Sequence, residues 1–383
     1  MSDNSFISAT IDFIRKEFNS SDFIPLHEPR IDGNEKKYIN ECIDSTFVSS
    51  VGKFVDLFEI KIAEFVGAKK AVVCVNGTNG LHLGLTVVGV EPNDEVLTQP
   101  LTFIATINAI SYANAIPVFI DVDKETMGLS PKSLKLFLAE NAQIVNGQCF
   151  NKISGNRIKA CMPMHTFGHA CKIEEIKDIC DEYFIEIVED AAEALGSYYK
   201  KKHLGTFGKI GVISFNGNKI MTTGGGGVLI TNDEKLAERA KHLSMQSKVP
   251  SKWEYRHDSI GYNYRMPNIN AALGLAQLEQ MPKFIESKRE LAVKYNSFFN
   301  PYEVTFFNDC EHEKSNCWLN ALIFNNLEER NQFLENTNSK GIMTRPVWQL
   351  ANTTPMYKNC QTTDLSNAVW LEERVVNIPS SVR

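Results

Sequence analysis

Lys219 lies in the stretch SFNGNKIMTTGGGGVLIT, residues 214–231, between two apolar runs of strand type. A lysine amine can form a Schiff base with a carbonyl compound, or carry a proton as general base and acid, when the fold holds it near the reacting atoms. Ser214 precedes it by five residues, and Gly224–Gly227 follow it. A lone lysine is usually on the surface and a glycine run is usually a turn. The stretch therefore indicates a site only if other chemical groups meet it.

Two further stretches could supply an anion site and a carboxylate. In NGTNG, residues 76–80, the glycines let a ligand approach the backbone, and the free amides at a helix start attract phosphate. Asp190 ends the apolar run IEIVED, so its carboxylate is expected to be half-buried and to need a cationic partner. Each has an ordinary alternative, because such residues are common in turns and Asp is a common helix N-cap.

Phe103, in TFIAT, could stack on a planar ring, although a phenylalanine in a helical pattern usually packs in the core. One ligand would use all of these groups at once. Pyridoxal 5′-phosphate (PLP) is a phosphorylated pyridine aldehyde, so it needs an amine for a Schiff base and an acid for its ring nitrogen. It also needs a ring to stack against and amides and hydroxyls for its phosphate. The stretches taken together therefore predict a PLP site.

The order of predicted elements would bring these stretches to one edge of a sheet. From residue 70 onward, short β-branched runs alternate with helical patterns. This alternation is typical of an α/β fold, a mostly parallel sheet covered on both faces, with functional loops at the carboxyl ends of its strands. It stops near residue 245, before a long helical stretch. We expect an N-terminal helical segment (1–22), a cofactor-binding large domain (23–245) and a small α+β domain (246–383).

Composition narrows the class of partner. A chain of 383 residues with 43% apolar residues can bury a large core. Its net charge of −6 argues against a general affinity for nucleic acid or anionic membrane, and no stretch approaches the roughly 20 apolar residues of a membrane span. The nine cysteines are odd in number and form no CxxC pair, as expected of reduced thiols in a cytoplasmic protein without a metal site. A small-molecule partner is expected.

Six motifs occur in order along the chain: NGTNGL (76–81), TFIAT (102–106), PMHTFG (163–168), VEDAAEALG (188–196), SFNGNK (214–219) and GYNYRM (261–266). In this order they resemble the sugar aminotransferases of the DegT/DnrJ/EryC1/StrS family, and the resemblance covers nearly everything from about Ile24 to the end. It implies the fold of a fold-type I PLP enzyme. This is a three-layer α/β/α large domain around a mainly parallel seven-stranded sheet, plus a smaller C-terminal α+β domain.

The resemblance also implies roles for individual residues. Lys219 would bind the cofactor aldehyde covalently, Asp190 would pair with the ring nitrogen, and Phe103 would stack on the ring. Glu193 falls where many relatives have glutamine or histidine near the ring hydroxyl, which leaves its role less defined. The implied reaction has two halves, in which an amino group passes from glutamate to the cofactor and then to a nucleotide-linked keto sugar. Lys219 would move the proton in each half.

The phosphate and the assembly are implied in the same way. Gly77, Thr78 and Ser214 would hold the phosphate of the cofactor. Asn263 would reach that phosphate from a neighbouring subunit, because active sites of this family lie at a dimer interface. The expected assembly is therefore a homodimer with shared active sites.

Four residues are candidates for substrate contacts. His165 and Arg265 lie in the motifs, whereas Arg345 and Trp348 belong to the small-domain segment GIMTRPVW. For His165, a side chain that only packs and forms local hydrogen bonds is the alternative.

The glycine run bears on the identity of the sugar. Relatives commonly read GEGG where this chain reads GGGG at Gly224–Gly227, so the loop is expected to be tuned differently, to the sugar. The stretch FNGNKIMTTGGGG resembles members that install the 4-amino group on UDP-4-keto-6-deoxy-N-acetylglucosamine, in routes to surface-polysaccharide sugars. That sugar is the expected substrate, and another dTDP-, GDP- or UDP-linked 3- or 4-keto sugar is the alternative.

Three other classes of protein share parts of this pattern. The dehydratase branch of the family has a histidine in place of the lysine, and Lys219 argues against it. A nucleotide-binding protein of Rossmann type would need GxGxxG after the first strand, and this spacing is absent. A non-catalytic regulator with the same fold stays open, and it predicts no half reaction with glutamate.

Overall fold

The structure is a computed structural model that describes residues 3–383. The α-helices of these residues are α1 (Asp3–Phe18), α2 (Glu35–Asp44), α3 (Lys53–Val66), α4 (Gly77–Val87), α5 (Ile104–Tyr112), α6 (Pro131–Asn141), α7 (Ile173–Glu182), α8 (Glu234–Ser244), α9 (Asn268–Phe299), α10 (Leu327–Ser339) and α11 (Ser366–Glu372). No helix within 3–383 combines the length and apolarity that a bilayer crossing demands.

The strands fall into one large sheet and several smaller ones. In chain order they are β1 (Lys70–Cys74), β2 (Glu95–Thr98), β3 (Ile116–Phe119), β4 (Ala142–Val145), β5 (Gln148–Asn151), β6 (Ile158–Met162), β7 (Glu186–Asp190), β8 (Tyr198–Tyr199), β9 (Lys202–His203), β10 (Ile210–Ser214), β11 (Gly227–Thr231), β12 (Lys248–Val249), β13 (Arg256–His257), β14 (Thr305–Phe306), β15 (Glu313–Lys314), β16 (Asn320–Ile323), β17 (Arg345–Pro346) and β18 (Val375–Ile378).

The large sheet has seven strands in the order β1-β11-β10-β7-β6-β2-β3. Only β11 runs antiparallel to its neighbours, which are β1 and β10, so the other six strands point in the same direction. The predicted α/β class and the mainly parallel seven-stranded sheet are confirmed. The parallel strands bring their carboxyl ends to one edge, where motif-bearing loops can meet.

Alternating side chains of the strands face two separate hydrophobic cores. Val73 and Ile187 pack with α3, α6, α7 and α9 on one face, whereas Val72 and Val188 pack with α4, α5 and α8 on the other. Successive residues of a strand point to opposite faces, so apolar strands of this kind must be covered on both. The result is the three-layer α/β/α arrangement.

The C-terminal part has its own antiparallel sheet, in the order β14-β16-β18-β17. Helix α1 packs on this part, because Ile14 shares a core with Tyr295 and Phe299 of α9 and Phe333 of α10. The predicted segment 1–22 therefore shares its core with the C-terminal part, and its first two residues lie outside the described residues. Strand β15 pairs with β8 of the large domain. The boundary between 245 and 246 stays a prediction.

Lys288 is a fully buried lysine in the middle of α9. Its ammonium group donates to the backbone carbonyl of Trp318 at 3.0 Å and to that of Ser380, and it forms no ion pair among the described residues. Burial lowers the pKa of Lys288 to about 7. A charged lysine here costs free energy, because two carbonyls replace its hydration only in part.

Lys288→Met is expected to change how stability depends on pH. The unfolded chain keeps the lysine proton up to its ordinary pKa of about 10.4, whereas the folded chain releases it near pH 7. Between these values the unfolded state binds more protons, so folding stability rises with pH. Urea titrations should show the free energy of unfolding of the wild type rising relative to Lys288→Met by up to about 3 kcal/mol from about pH 7 to about 9.5. If the difference in free energy of unfolding between the two proteins stays constant over this pH range, the lowered pKa of the buried Lys288 is contradicted.

Candidate active site

Residues of five of the six predicted motifs meet around a cavity of about 300 Å³ at the carboxyl ends of β1, β7 and β10. Predicted residues that line it are Gly77, Thr78, Phe103, Asp190, Glu193, Ser214, Lys219 and Trp348. All but Trp348 come from separate segments that a parallel sheet brings to one edge, and Trp348 comes from the C-terminal part, after β17.

Asp190 is the last residue of β7 and is almost fully buried. Its carboxylate accepts a hydrogen bond from the Thr106 hydroxyl at 2.6 Å and one from the Ala192 backbone amide at 3.1 Å. Burial raises the pKa of the Asp190 carboxyl, and the Thr106 hydrogen bond opposes this shift. No cation of the described residues lies within 4.0 Å of this carboxylate. A cationic group bound opposite would therefore offset its desolvation.

Lys219 forms a buried ion pair with Glu193. Its Nζ lies 3.0 Å from Glu193 Oε1, and the side chains are 12% and 1% exposed. The other carboxylate oxygen of Glu193 accepts from the Phe167 backbone amide at 2.8 Å. Burial raises the pKa of Glu193, and the Lys219 ammonium opposes the shift. The ring of Trp318 covers the same amine, with its centroid 4.0 Å from Nζ. The lysine is thus held inside the cavity, and its partner is Glu193.

The amino-terminal end of α4 forms the anion-binding end of the cavity. Helix α4 begins at Gly77, and the Asn76 side chain caps it by accepting from the Asn79 amide. The first amides of a helix have no acceptor within the helix, so those of Gly77 and Thr78 can bind a phosphate. A Cβ on Gly77 would lie 3.0 Å from the Cβ of Ser214. Glycine therefore keeps the space between these two residues open.

The glycine run lies behind this anion site. A Cβ on Gly227 would lie 2.7 Å from backbone atoms of Asn76 and Gly77, so the start of β11 passes directly beneath the turn. Gly224 has φ of +80°, a conformation that glycine adopts without strain. None of the four glycines lines the cavity. Gly227 lets β11 approach the turn before α4, and the expected tuning of the run to the sugar stays a prediction.

Phe103 presents an unusually exposed aromatic ring. It is the N-cap residue of α5, its side chain is 51% exposed, and it lines the cavity beside Trp348, at 6.5 Å between ring centroids. A flat ligand ring could cover this face. Together with a lysine amine, a buried carboxylate without a cation, and helix amides open to an anion, this donor set fits PLP.

Four predicted residues do not line the cavity of this chain, and three of them are Asn263, Arg265 and Arg345. Asn263 is exposed and forms a backbone bridge with Met245. Arg265 forms a bridge with Cys74, and its buried Nε has no hydrogen-bond partner among the described residues. Arg345 is exposed on β17. Their predicted contacts with phosphate or substrate would require a partner copy or a ligand that extends beyond the cavity.

His165 is fully buried and does not line the cavity. Its Nε2 lies 2.9 Å from a carboxylate oxygen of Glu189, and Nδ1 lies 3.4 Å from the backbone amide of Cys171. Because both ring nitrogens have partners, the structure favours the alternative of local packing over a substrate contact. The backbone amide of His165 donates to the Asp190 carbonyl at 3.1 Å, which supports the end of β7.

Thr106 and Trp318 are among the residues of the site that were not predicted. Thr106 lies in the TFIAT motif, three residues after Phe103 on the same helix face, so helical spacing could have identified it. Trp318 reaches the cavity from the segment before β16, about a hundred positions from Lys219. No local pattern connects these two residues, so only the docking of the C-terminal part reveals the contact.

The fold and the site define a PLP-dependent aminotransferase. Residues 29–383 match the DegT/DnrJ/EryC1/StrS aminotransferase family, and the chain belongs to that family. The cofactor is pyridoxal 5′-phosphate, and the substrates belong to the class of nucleotide sugars. The resemblance inferred from the six motifs is thereby confirmed.

Similar proteins cover nearly the whole chain. GDP-perosamine synthase of Escherichia coli O157:H7 is 41% identical over 335 residues, which are 88% of this chain and 87% of that protein. GDP-perosamine synthase of Vibrio cholerae is 37% identical over 365 residues, covering 93% and 94%. The crystal structure of the aminotransferase TlmJ from Streptoalloteichus hindustanus superposes with a TM-score of 0.84, at 26% identity, covering 94% and 93% of the two chains.

Asp190→Asn is expected to stabilise the cofactor-free protein at neutral pH. The raised pKa means that the folded state binds more protons than the unfolded state above the ordinary pKa of about 3.9, so stability is lost as pH rises through that window. At pH 7 the free energy of unfolding of the variant should exceed that of the wild type by about 1–2 kcal/mol, and this difference should vanish near pH 4.

Urea unfolding of cofactor-free protein at both pH values measures this effect. Thr106→Val is the matched control, because it removes a donor to the carboxylate and should lower stability at pH 7. A destabilised Asp190→Asn variant at pH 7 would show that the charge is better solvated than its burial indicates.

Proposed function

We propose that this enzyme transfers the amino group of glutamate to the keto group of a nucleotide-linked keto-deoxysugar. The observation that carries the proposal is the position of the Lys219 amine. It lies in one cavity with the Asp190 carboxylate and the amino-terminal end of α4, and these groups match the reactive ends of PLP. A regulator with the same fold would have no need for this buried amine.

Bound PLP supplies an aldehyde for Schiff-base formation and a ring that accepts electrons from the reacting carbon. In this proposal Asp190 would keep a proton on the ring nitrogen, which would favour that electron flow. The amides of Gly77 and Thr78, with the hydroxyl of Ser214, would bind the phosphate, and Phe103 would stack on the ring; all of these residues line the same cavity.

Lys219 is the group proposed to move the proton at the carbon that gains or loses nitrogen. Once free, its amine has Glu193 within 3.0 Å, so it stays in the cavity and does not swing into solvent. Glutamate and the keto sugar would react in turn, which predicts ping-pong kinetics.

For the sugar, we propose a GDP-linked keto sugar. The support is that two relatives covering most of this chain carry the name GDP-perosamine synthase, which specifies a GDP-linked amino sugar. UDP-4-keto-6-deoxy-N-acetylglucosamine is the second candidate, favoured by the stretch FNGNKIMTTGGGG. Either product would serve surface-polysaccharide synthesis.

We further propose a cytoplasmic homodimer with shared active sites. The segment between α2 and α3 exposes the apolar side chains of Phe47, Val48 and Val51, which supports an interface at this segment. Arg265 has a buried Nε without a partner, which a second copy or its bound ligand could supply. All nine cysteines are free, as expected in a reducing compartment.

Lys219→Ala should abolish covalent attachment of PLP and amino transfer. Without the amine no Schiff base with the protein can form, and no group replaces its proton transfer. Borohydride reduction followed by intact mass measurement should show the cofactor adduct in the wild type and none in the variant. The rate with glutamate should fall by at least about a thousandfold.

Lys69→Ala is the matched control, because Lys69 is exposed at the start of β1 and remote from the cavity. It should retain the adduct and the full rate. Full turnover by Lys219→Ala, with its thermal unfolding unchanged, would remove Lys219 from the mechanism.

A pair of sugars tests the proposed nucleotide. With glutamate as donor, a GDP-linked 4-keto-6-deoxyhexose should be aminated with kcat/KM at least about tenfold above that of UDP-4-keto-6-deoxy-N-acetylglucosamine. Mass measurement detects the gain of the amino group, and NMR identifies the carbon that carries it. The reverse preference would favour the UDP-linked substrate and leave the aminotransferase assignment intact.

A further inference from the structure

The Lys219 amine lies between two groups of opposite chemical character. Glu193 Oε1 is 3.0 Å away on one side, and the centroid of the Trp318 ring is 4.0 Å away on the other. Trp318 lines the cavity and is 3% exposed. The face of an indole ring attracts an ammonium group, and the attraction grows when both are shielded from water. The geometry therefore gives the free lysine a defined position.

Trp318 is held in place by three hydrogen bonds. Its backbone amide donates to Asn316 Oδ1 at 2.8 Å, and its carbonyl accepts from Lys288 Nζ at 3.0 Å. Its indole Nε1 donates to the carbonyl of Asn218, the residue before Lys219, at 2.8 Å. The ring therefore cannot turn away from the amine without breaking this partly buried hydrogen bond.

Asn316 connects the two groups that flank the amine. Besides accepting from the Trp318 amide, its Nδ2 donates to the backbone carbonyls of Glu193 and Leu195 at 2.8 and 2.9 Å. Asn316 is fully buried. One side chain thus fixes the spacing between the segment that carries Trp318 and the turn that carries Glu193.

We propose that Trp318 is a positioning residue, which holds the free Lys219 amine beside Glu193 while that amine is not bonded to the cofactor. This inference rests on the proposed function. A free lysine side chain has several rotatable bonds, and a proton-transfer group that leaves its position loses much of its effect. The Trp318 ring covers the amine whenever the lysine is free, so it serves the steps in which the lysine is not bonded to the cofactor.

A purely packing role for Trp318 makes a different prediction from the proposed one. Phenylalanine keeps an aromatic face above the amine but removes the bond to Asn218, whereas leucine removes both. If the face holds the amine, Trp318→Phe should resemble the wild type and Trp318→Leu should not. If the indole N–H or the volume matters, the two variants should be impaired alike.

Two readouts test the proposal. The first is the rate at which cofactor-free protein forms a borohydride-trapped adduct after mixing with PLP, measured by intact mass. The second is the single-turnover rate with glutamate. Trp318→Leu should lower both rates by about threefold to thirtyfold, with little change in the glutamate concentration for half-maximal rate, and Trp318→Phe should stay within about threefold of wild type.

Trp370→Leu is the matched control. The Lys124 amine lies 4.3 Å from the centroid of the Trp370 ring, so this tryptophan makes a similar contact with a lysine, but it does not line the cavity. It should leave both rates unchanged. Thermal unfolding of each variant checks the fold, and Trp318→Met, which has a longer and more adaptable side chain without an aromatic face, replaces Trp318→Leu if the latter does not fold.

Equal losses in Trp318→Phe and Trp318→Leu, or wild-type rates in Trp318→Leu, would overturn the proposal. A rise in the half-saturating glutamate concentration at constant maximal rate would also overturn it, because that pattern belongs to substrate binding. Failure of the proposed function is distinguishable, since it would appear as an unaltered adduct in Lys219→Ala.

Discussion

Two buried carboxylates and one buried amine occupy the cavity at the carboxyl edge of the sheet. With all three ionised, the negative charges of Asp190 and Glu193 exceed the positive charge of Lys219, and burial raises the pKa of both carboxyl groups. An imbalance of this kind is costly away from water. The arrangement is therefore suited to a ligand that brings a cation to Asp190, as the protonated ring of PLP would. Bound in this way, the cofactor would offset a cost that the folded chain carries without it.

The rest of the molecule fixes the positions of these three charged groups. Six parallel strands and the antiparallel β11 fix the loops around the cavity, and the absence of a side chain at Gly227 lets β11 lie against the turn before α4. Glu189, on the opposite face of β7 from Asp190, accepts bonds from His165 and from backbone amides of the loop before β10. Rigid support of this kind keeps catalytic groups at their required distances.

The fold and the centre of the site follow from local patterns, whereas the outer contacts do not. Asp190 and Ser214 could be placed because each ends a strand of a parallel sheet, and such ends share one edge. His165 follows β6 and was expected at the same edge, but its side chain contacts Glu189. Glu189 and Asp190 are neighbours in β7, so their side chains point to opposite faces of the sheet. The pairing of Lys219 with Trp318 depends on how the C-terminal part docks, which no spacing in the sequence records. The β4–β5 hairpin was also missed, although Asn146 and Gly147 are a typical hairpin turn.

The short ladder between β8 and β15 has a consequence for protein engineering. It joins Tyr198 and Tyr199 to Glu313 and Lys314, next to the Asn316 bonds that cross between the same two parts of the chain. A hybrid that joins the N-terminal part of this enzyme to the C-terminal part of a relative would replace one side of these contacts and keep the other. Such a chimera would have to carry the turn of one parent together with the matching segment of that parent. The contacts that hold Trp318 and Glu193 around Lys219 therefore limit which segments can be exchanged between relatives to change substrate preference.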